Sequence, residues 1–257
     1  MKKQLFMLVF GLMTMAAADA QTMRTQTIAH RGEWKSEGSA QNSRASLQRA
    51  LDLGIFGSEI DIWMTQDGHL MVNHDETFDG VTLQDATFAT CKKLRLSNGE
   101  RMPELKHLLK MLKKSKSPTR LIVEVKPHRD PMRSRACATA TVELVRQQKL
   151  ESRVMYISFS IEACETIHQL APDAEVAYLN GDRTPAELHS MGITGIDYDI
   201  DRFREHPEWV EAAHRLGMNV NVWTVDKPDD IRAMQALGVD YITTNEPALC
   251  ENIVRTN

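Results

Sequence analysis

Short apolar runs recur along the chain and alternate with longer segments whose apolar residues fall at helical spacing. The runs predict eight strands, at 27–30, 58–63, 121–125, 154–159, 175–179, 194–198, 218–224 and 240–243. The segments between them predict helices at 45–53, 103–114, 133–148, 161–170, 185–191, 207–216 and 228–237. Strands that alternate with helices indicate a parallel sheet covered by helices.

Eight strand–helix units in a chain of 257 residues predict a (β/α)₈ TIM barrel, with a doubly wound open sheet as the alternative. Residues 70–73 are left out of the count, because Asp67-Gly68 favours a type I′ turn and so a hairpin with the second strand. Residues 75–102 interrupt the alternation and are predicted to be a small insertion after that strand. The barrel is favoured because polar residues fall near the C-terminal ends of the strands, which meet at one mouth.

The second predicted strand carries two acids on one face. Side chains alternate between strand faces, so Glu59 and Asp61 project to one side while Ile60 and Ile62 project to the other. Two carboxylates this close repel each other unless a cation lies between them or one of them holds a proton. The hairpin then returns His74 toward them, and the ordinary histidine pKa of about 6.5 suits proton transfer. A metal site or an acid/base site is therefore predicted.

The third predicted strand repeats this alternation with an acid and a base, Glu124 and Lys126. Together with Glu59 and Asp61, Glu124 gives three carboxylates at one mouth, an all-oxygen set that suits one divalent cation, Ca²⁺ or Mg²⁺. Zinc would more often be bound by histidine or cysteine. The alternative is that Glu124 and Lys126 form a plain interior ion pair.

His30 and Arg31 end the first predicted strand. The planar fork of arginine binds phosphate oxygens in pairs, and Lys126 would add a point charge. Of the two histidines, His30 and His74, one would accept the proton of an attacking hydroxyl and the other would protonate a leaving alcohol, which suits phosphodiester cleavage. Trp223 is expected either to form an apolar wall for the substrate or to fill the barrel core.

Composition narrows the class of protein. Hydrophobic residues make up 42% of the chain, which is enough for a large core. The net charge is −4, and acidic and basic residues are mixed along the chain, which argues against a nucleic-acid partner.

The first 20 residues have the features of an export signal. Residues 1–20 combine two lysines, an apolar run and Ala18-Asp19-Ala20, and predict a cleaved signal peptide and export to the periplasm or the medium. That run is too short to span a membrane, and no later segment comes close. The mature protein would then be residues 21–257.

Four cysteines are widely spaced and form no Cys-x-x-Cys pair, so a zinc site built from them is not expected. Export permits disulfides, and four cysteines allow three pairings. Buried thiols are the favoured interpretation, because free cysteine packs as a small apolar residue. The four residues are Cys91, Cys137, Cys164 and Cys250.

The motifs together resemble the glycerophosphodiester phosphodiesterase family. They are HRG at 30–32, the start of the first helix at Asn42, EID at 59–61, TQDGHLMVNHD at 65–75, VEVK at 123–126, VWTV at 222–225 and GVDYITTNEP at 238–247. The resemblance spans essentially the whole chain after the signal segment. It implies a TIM barrel with a small insertion after the second strand and a divalent cation held by Glu59, Asp61 and Glu124.

The resemblance also implies roles for the remaining residues. His30 and His74 would be the acid/base pair, and the substrate-binding set would be Arg31, Lys126, Asn42 and Trp223. The family hydrolyses small glycerophosphodiesters, such as glycerophosphocholine and glycerophosphoethanolamine, to glycerol 3-phosphate and an alcohol through a cyclic phosphate. The alternatives are a related phospholipase acting on lysophospholipids or phosphoinositides, and a non-catalytic barrel that binds phosphodiesters.

One position departs from the family pattern. Family members usually carry Pro-Glu-Asn before the first helix, whereas this chain has Ala40-Gln41-Asn42. Gln41 keeps the size of glutamate and loses its charge, so any cation or substrate contact of that side chain becomes neutral. A change in cation affinity or in head-group preference is therefore expected.

Overall fold

The structure, a computed structural model, describes residues 25–256. Its strands are β1 (Gln26–Ala29), β2 (Gly57–Met64), β3 (Leu70–Val72), β4 (Thr77–Phe78), β5 (Val81–Thr82), β6 (Arg120–Val125), β7 (Val154–Ser158), β8 (Val176–Tyr178), β9 (Gly195–Asp199), β10 (Asn219–Trp223) and β11 (Tyr241–Thr244). Its helices are α1 (Arg44–Leu53), α2 (Phe88–Cys91), α3 (Leu105–Lys114), α4 (Pro131–Gln148), α5 (Ile161–Leu170), α6 (Pro185–Ser190), α7 (Ile200–Glu205), α8 (Glu208–Arg215), α9 (Pro228–Leu237) and α10 (Pro247–Thr256). The predicted signal peptide, residues 1–20, lies outside the described residues.

Eight parallel strands close into a barrel in the order β1-β2-β6-β7-β8-β9-β10-β11. Closure is made by β1, which pairs with β11 along its whole length and with β2 through Ile28 opposite Gly57. The predicted TIM barrel is therefore confirmed, and the open sheet is excluded because such a sheet would have two free edges.

The barrel strands are apolar on both faces. Ile60, Val123 and Val220 belong to the large cluster beneath the surrounding helices, while Ile28 and Ile122 belong to a smaller cluster with other inward residues. Because side chains alternate along a strand, the residue two positions after an inward apolar residue also faces inward. The polar residues at the C-terminal ends therefore rest on an apolar floor.

Several helix bounds differ from the sequence predictions. α3 begins at Leu105 rather than at Pro103, because Glu104 caps it and exchanges hydrogen bonds with His107 in a capping box. α7 was not predicted; it starts where the Asp199 carboxylate accepts a hydrogen bond from the Asp201 N–H at 2.9 Å. α10, the last helix, was also missed.

The hairpin of β2 and β3 is present, with Trp63 opposite Met71, but its predicted turn type is wrong. A type I′ turn needs positive φ at both central residues, and here Gly68 has φ 86° while Asp67 is not in the left-handed region. The Gly68 N–H donates to Thr65 O at 3.0 Å, and the Thr65 N–H donates to His69 O at 2.8 Å. The loop is therefore a three-residue turn that ends in a left-handed glycine.

Residues 75–102 contain the small β4–β5 hairpin and the short helix α2. We call the buried apolar group around them the insertion cluster; its members are Ala40, Trp63, Met71, Leu83, Cys91, Leu94, Leu96 and Met102. Because Trp63 and Met71 belong to β2 and β3, the insertion is packed onto the edge of the barrel next to the mouth.

All four cysteines lie in the described range, where they are buried and free of disulfides. Within residues 25–256, no helix has the length and apolar character needed to cross a membrane.

Candidate active site

Three predicted metal ligands meet at the C-terminal ends of β2 and β6. Asp61 lies directly opposite Glu124 in the parallel pairing of these strands, and Glu59 lies two residues earlier on the same face. All three side chains are buried, and one carboxylate oxygen from each lies within 4.8 Å of the other two. The alternation read from the sequence therefore places the three acids together.

Asp61 is the most firmly held of the three acids. Its Oδ2 accepts a hydrogen bond from the Asn42 side-chain amide at 2.8 Å, and its own N–H donates to Asn42 Oδ1 at 3.1 Å. Lys126 Nζ lies 2.7 Å from Asp61 Oδ1 and 2.8 Å from Glu124 Oε1. Burial alone would favour the neutral acid, but the positive charge of Lys126 outweighs it and holds the Asp61 pKa below its ordinary value.

Glu59 and Glu124 are shifted in the opposite direction. Burial, with the charge of Asp61 adding to it, raises the pKa of Glu124 to about 8 and the pKa of Glu59 well above its ordinary value. Glu59 Oε2 accepts the Arg31 N–H at 2.7 Å, whereas the buried Oε1 has no hydrogen-bond partner in the described part of the chain. An unpartnered buried oxygen among three crowded acids fits a hard divalent cation, which Glu59, Asp61 and Glu124 would hold.

A tight turn after β1 presents His30 and Arg31 to these acids. Arg31 and Gly32 both have left-handed backbones, with φ 57° and 77°. A Cβ on Gly32 would lie 2.5 Å from Ser46 Oγ, so only glycine fits this close approach to α1. The Arg31 guanidinium then reaches over the mouth, where Nη1 donates to Gln41 Oε1 at 2.8 Å.

The His30 ring has a defined hydrogen-bonding direction. Its Nδ1 lies 2.9 Å from Asn245 Oδ1, and the Asn245 amide group donates to Asp226 Oδ2 at 2.9 Å. Since the Asn245 oxygen must then be the acceptor, His30 carries its proton on Nδ1 and leaves a lone pair on Nε2. Burial, with the positive charge of Arg31 adding to it, lowers the His30 pKa to about 4. His30 is therefore a neutral base at neutral pH.

His74 has a different environment. It follows β3, its side chain is 38% exposed, and its Nδ1 lies 2.7 Å from Asp75 Oδ1. This contact with Asp75 orients the imidazole ring. The backbone carbonyl of His74 accepts a hydrogen bond from Trp63 Nε1 at 3.1 Å, which ties the histidine to the insertion cluster.

Both histidines line a mouth pocket of about 250 Å³. One wall is polar and is formed by His30, Arg31, Glu59, His74 and Glu124; the opposite wall is apolar and is formed by Ile157, Phe159, Leu179 and Trp223, with Asp197, Thr224 and Thr243 completing the lining. Trp223 stands edge-on to Phe159 at 5.7 Å between ring centroids, and its Nε1 donates to Asp197 O at 2.9 Å. A wider groove of about 1,210 Å³ opens beside this pocket and shares His74 with it.

Two residues predicted to contact substrate lie deeper than expected. Lys126 and Asn42 are 6% and 1% exposed and do not line the mouth pocket, and their side chains bind Asp61 instead. A substrate contact from either residue stays a prediction; the structure shows that both position a carboxylate.

His128, which follows β6, is a structural residue, because its Nε2 accepts the Met64 N–H at 3.1 Å and its Nδ1 lies 3.0 Å from Lys126 O.

Sequence reasoning assigned no role to several residues of the mouth. Asn245 and Asp226 orient His30, Phe159 extends the apolar wall, and Asp197 lies inside the pocket. A signal was present for Asn245, Asp226 and Phe159, since they lie just beyond the C-terminal end of a barrel strand, and for Asp197, which is an acid within an otherwise apolar strand.

The family model of glycerophosphoryl diester phosphodiesterases matches residues 30–249. The chain belongs to this family. The match includes every candidate site residue, from His30 to Asn245. The predicted family and its enzyme class, a phosphodiesterase, are confirmed.

Individual members of the family agree with this assignment. A glycerophosphodiester phosphodiesterase from Caldanaerobacter subterraneus subsp. tengcongensis is 29% identical, covering 91% of this chain and 99% of that protein. The crystal structure of a glycerophosphodiester phosphodiesterase from Parabacteroides distasonis is 46% identical with a TM-score of 0.90, over 91% of this chain and 98% of that one. An Oleispira antarctica phosphodiesterase, solved with the product sn-glycerol-3-phosphate, is 21% identical with a TM-score of 0.79, over 91% and 98%, and shares the fold.

Proposed function

We propose that the protein hydrolyses small glycerophosphodiesters, such as glycerophosphocholine or glycerophosphoethanolamine, to glycerol 3-phosphate and an alcohol. The observation that carries this proposal is a single pocket lined by two histidines with opposite hydrogen-bonding environments, beside an arginine and three clustered acids. The family assignment supports the same substrate class.

His30 acts as the base of the first step. Its Nε2 lone pair accepts the proton of the 2-hydroxyl of the substrate, whose oxygen forms a bond to phosphorus and gives a cyclic phosphate. Asn245 holds the ring in the tautomer that this step needs, as Nδ1 donates to its side-chain oxygen. A pKa of about 4 keeps His30 unprotonated and available at neutral pH.

His74 acts as the acid that protonates the leaving alcohol as its bond to phosphorus breaks. The Asp75 carboxylate beside Nδ1 orients the ring, and the partial exposure of the side chain connects it to solvent. In the second step the roles reverse: His74 takes a proton from water, whose oxygen bonds to phosphorus, and His30 returns its proton to the 2-oxygen as the bond between that oxygen and phosphorus breaks. Glycerol 3-phosphate is the product.

The phosphoryl oxygens need positive charge. The Arg31 guanidinium lines the pocket, so its positive charge is placed to bind one of these oxygens. A divalent cation held by Glu59, Asp61 and Glu124 would supply further neutralisation of the phosphoryl charge and would lower the pKa of a nearby hydroxyl. Asn42 and Lys126 keep Asp61 ionised for this purpose.

The test is release of glycerol 3-phosphate from glycerophosphoethanolamine. We expect EDTA to abolish release and Ca²⁺ or Mg²⁺ to restore it. His30→Ala and His74→Ala should each lower kcat by about 10²- to 10⁴-fold without loss of the folded state, since each removes one proton-transfer group. His189→Ala, an exposed histidine on α6, is the matched control and should leave kcat unchanged. Full activity in either mouth variant would remove the two-histidine mechanism.

We also propose that the protein is exported, on the ground of the signal-like composition of residues 1–20. Mass spectrometry of the protein purified from its source should find a mature N-terminus at Gln21. An N-terminus at Met1 would contradict export.

A further inference from the structure

Asp197 on β9 is a buried acid of the mouth pocket to which the proposed mechanism gives no task. The residue is 1% exposed, it lines the pocket, and its Oδ1 has no hydrogen-bond partner among residues 25–256. A buried carboxyl oxygen without a partner is costly in a folded protein, so a position of this kind calls for an explanation.

The strand fixes where this carboxyl group points. In the sequence GIDYD of β9, Ile196 and Tyr198 face the helices, so Asp197 faces the barrel interior. Asn221, its neighbour in the pairing of β9 and β10, is held by Thr243, because its side-chain amide donates to Thr243 Oγ1 at 2.9 Å. Burial raises the pKa of Asp197 to about 7, so the group can serve as donor or acceptor near neutral pH.

Asp197 lies on the side of the pocket opposite the residues proposed to bind the phosphate. In the barrel order, β9 is the fourth strand from β2 in either direction, through β6, β7 and β8 or through β1, β11 and β10. Asp197 therefore lies across the mouth from Glu59 and Asp61. The apolar wall of Ile157, Phe159, Leu179 and Trp223 lies on the same side of the barrel as Asp197.

This arrangement matches the two ends of a glycerol phosphate. A phosphoryl group beside Arg31 directs the three-carbon chain across the pocket, where the apolar wall covers its carbon atoms. The pocket volume of about 250 Å³ is below the roughly 300–1,000 Å³ of sites for drug-sized ligands, which suits a ligand as small as glycerol 3-phosphate. The hydroxyl at its far end then meets a carboxyl oxygen that has no other partner.

We propose that Asp197 binds the terminal hydroxyl of the glycerol portion and makes the enzyme select glycerol over diols that lack this group. The inference rests on the proposed function and adds a specificity-determining residue to it. A site built to bond a hydroxyl group rejects an analogue without it, because its own polar group is then left buried and unpaired.

The test compares glycerophosphoethanolamine with its 1-deoxy analogue, in which propane-1,2-diol replaces glycerol. The analogue keeps the 2-hydroxyl that attacks phosphorus, so the chemistry is unchanged. We expect the wild-type enzyme to prefer the glycerol substrate by about 10- to 100-fold in kcat/KM. Asp197→Ala should lose this preference, giving a ratio of about 1, through a lower kcat/KM for the glycerol substrate alone.

Further variants separate recognition from folding. Asp197→Asn keeps the shape and a hydrogen-bonding group and should retain part of the preference, whereas Asp229→Asn, whose side chain is 99% exposed, should retain all of it. If Asp197→Ala does not fold, the wild-type ratio and the Asn variant decide the matter. A wild-type ratio near 1, or an unchanged ratio in a folded Asp197 variant, overturns the proposal.

A binding measurement keeps this test separate from the proposed function. Calorimetry gives the affinities of wild type and Asp197→Ala for glycerol 3-phosphate and for its 1-deoxy analogue, with no turnover required. If the wild type hydrolyses neither diester, the proposed function fails, while a preference for glycerol 3-phosphate that Asp197→Ala removes still supports the role of Asp197. Equal affinities for both phosphates contradict that role.

Discussion

Arg31 has a neutral partner where family members usually carry a carboxylate. Its Nη1 donates to the amide oxygen of Gln41 at 2.8 Å, and its Nε lies 3.9 Å from Asp61 Oδ2. A glutamate at position 41 would form a charge-assisted pair with the guanidinium and draw part of its charge away from the mouth. The amide orients Arg31 and leaves that charge for a phosphoryl group.

Gln41→Glu is therefore expected to weaken substrate binding rather than cation binding. A partly exposed pair with Arg31 is worth about 0.2–1 kcal/mol, so KM should rise by about 1.5- to 5-fold, while the cation dissociation constant should change by less than about 2-fold. Steady-state kinetics and a Ca²⁺ titration measure the two effects, and Gln147→Glu, an exposed glutamine on α4, controls for added charge. A larger effect on the cation than on KM would contradict the observed contact and favour the sequence expectation.

The histidines show what residue patterns could and could not predict. The order of HRG and NHD along the chain was enough to expect His30 and His74 at one mouth. It could not assign base and acid, because that choice depends on Asn245, which follows β11 and lies 215 positions away from His30 in sequence. Lys126 and Asn42 were predicted as substrate contacts from charge and from the family resemblance, and neither signal could show that both side chains bind Asp61.

Two neighbouring strands, β2 and β6, concentrate the negative charge of the site. Burial and the nearby charge of Asp61 raise the pKa of Glu124 on β6 to about 8, so Glu124 carries a proton at pH 7 while no cation is bound, and they also raise the pKa of Glu59 on β2. In the unfolded chain these groups ionise near 4.5. The folded protein thus binds more protons than the unfolded one between these values, and the cation-free protein should lose stability as the pH rises through this window.

Cation binding is expected to release those protons. Because a carboxylate must be ionised to bind Ca²⁺ or Mg²⁺, affinity should rise by up to about tenfold per pH unit for each proton released, and the part that depends on Glu124 should level off above about pH 8. Calorimetry at pH 7 in two buffers of different ionisation enthalpy should detect release of about one to two protons per cation. Affinity that does not change between pH 6 and 8 would show that the three acids are not the cation site.

At the level of elements, the strands were predicted better than the segments that join them. Each barrel strand is a short apolar run, so its position follows from the sequence within one or two residues. The helices α7 and α10 were missed because they are preceded by Asp199 and Glu246, whose capping and packing contacts are not encoded in an apolar period. The turn at Asp67 differs from expectation because the Asp67 carboxylate accepts hydrogen bonds from Thr65 Oγ1 at 2.7 Å and the Phe88 N–H at 2.8 Å.

For the whole molecule, the count of strand–helix units, together with the polar residues at the strand ends, was sufficient to predict the barrel. The insertion at 75–102 was predicted from the break in the alternation, but its packing could not be, since its apolar cluster draws on three separate stretches of chain around Ala40, Trp63 and Leu83. Such contacts are set by the closed barrel and not by local periodicity. The insertion nevertheless matters for function, because His74 is the last residue before it.

Trp63 joins these two parts of the molecule. Its ring packs in the insertion cluster and edge-on to His128 at 5.2 Å, and its Nε1 donates to the His74 carbonyl at 3.1 Å. Trp63→Phe removes this hydrogen bond and leaves a small cavity, so we expect a loss of about 1–3 kcal/mol in the free energy of unfolding. Because His74 loses a positioning contact, kcat should also fall, by about 3- to 10-fold, with little change in KM.

Trp209→Phe provides the comparison that separates the two effects. Trp209 stands edge-on to Tyr198 at 5.8 Å and stacks on His206, so the same substitution removes similar apolar area away from the mouth pocket. Urea denaturation should show a loss of stability in both variants, whereas steady-state kinetics should show a lower kcat in Trp63→Phe alone. If both variants keep the wild-type kcat, the position of His74 does not depend on the insertion, and the barrel strands alone fix the acid of the site.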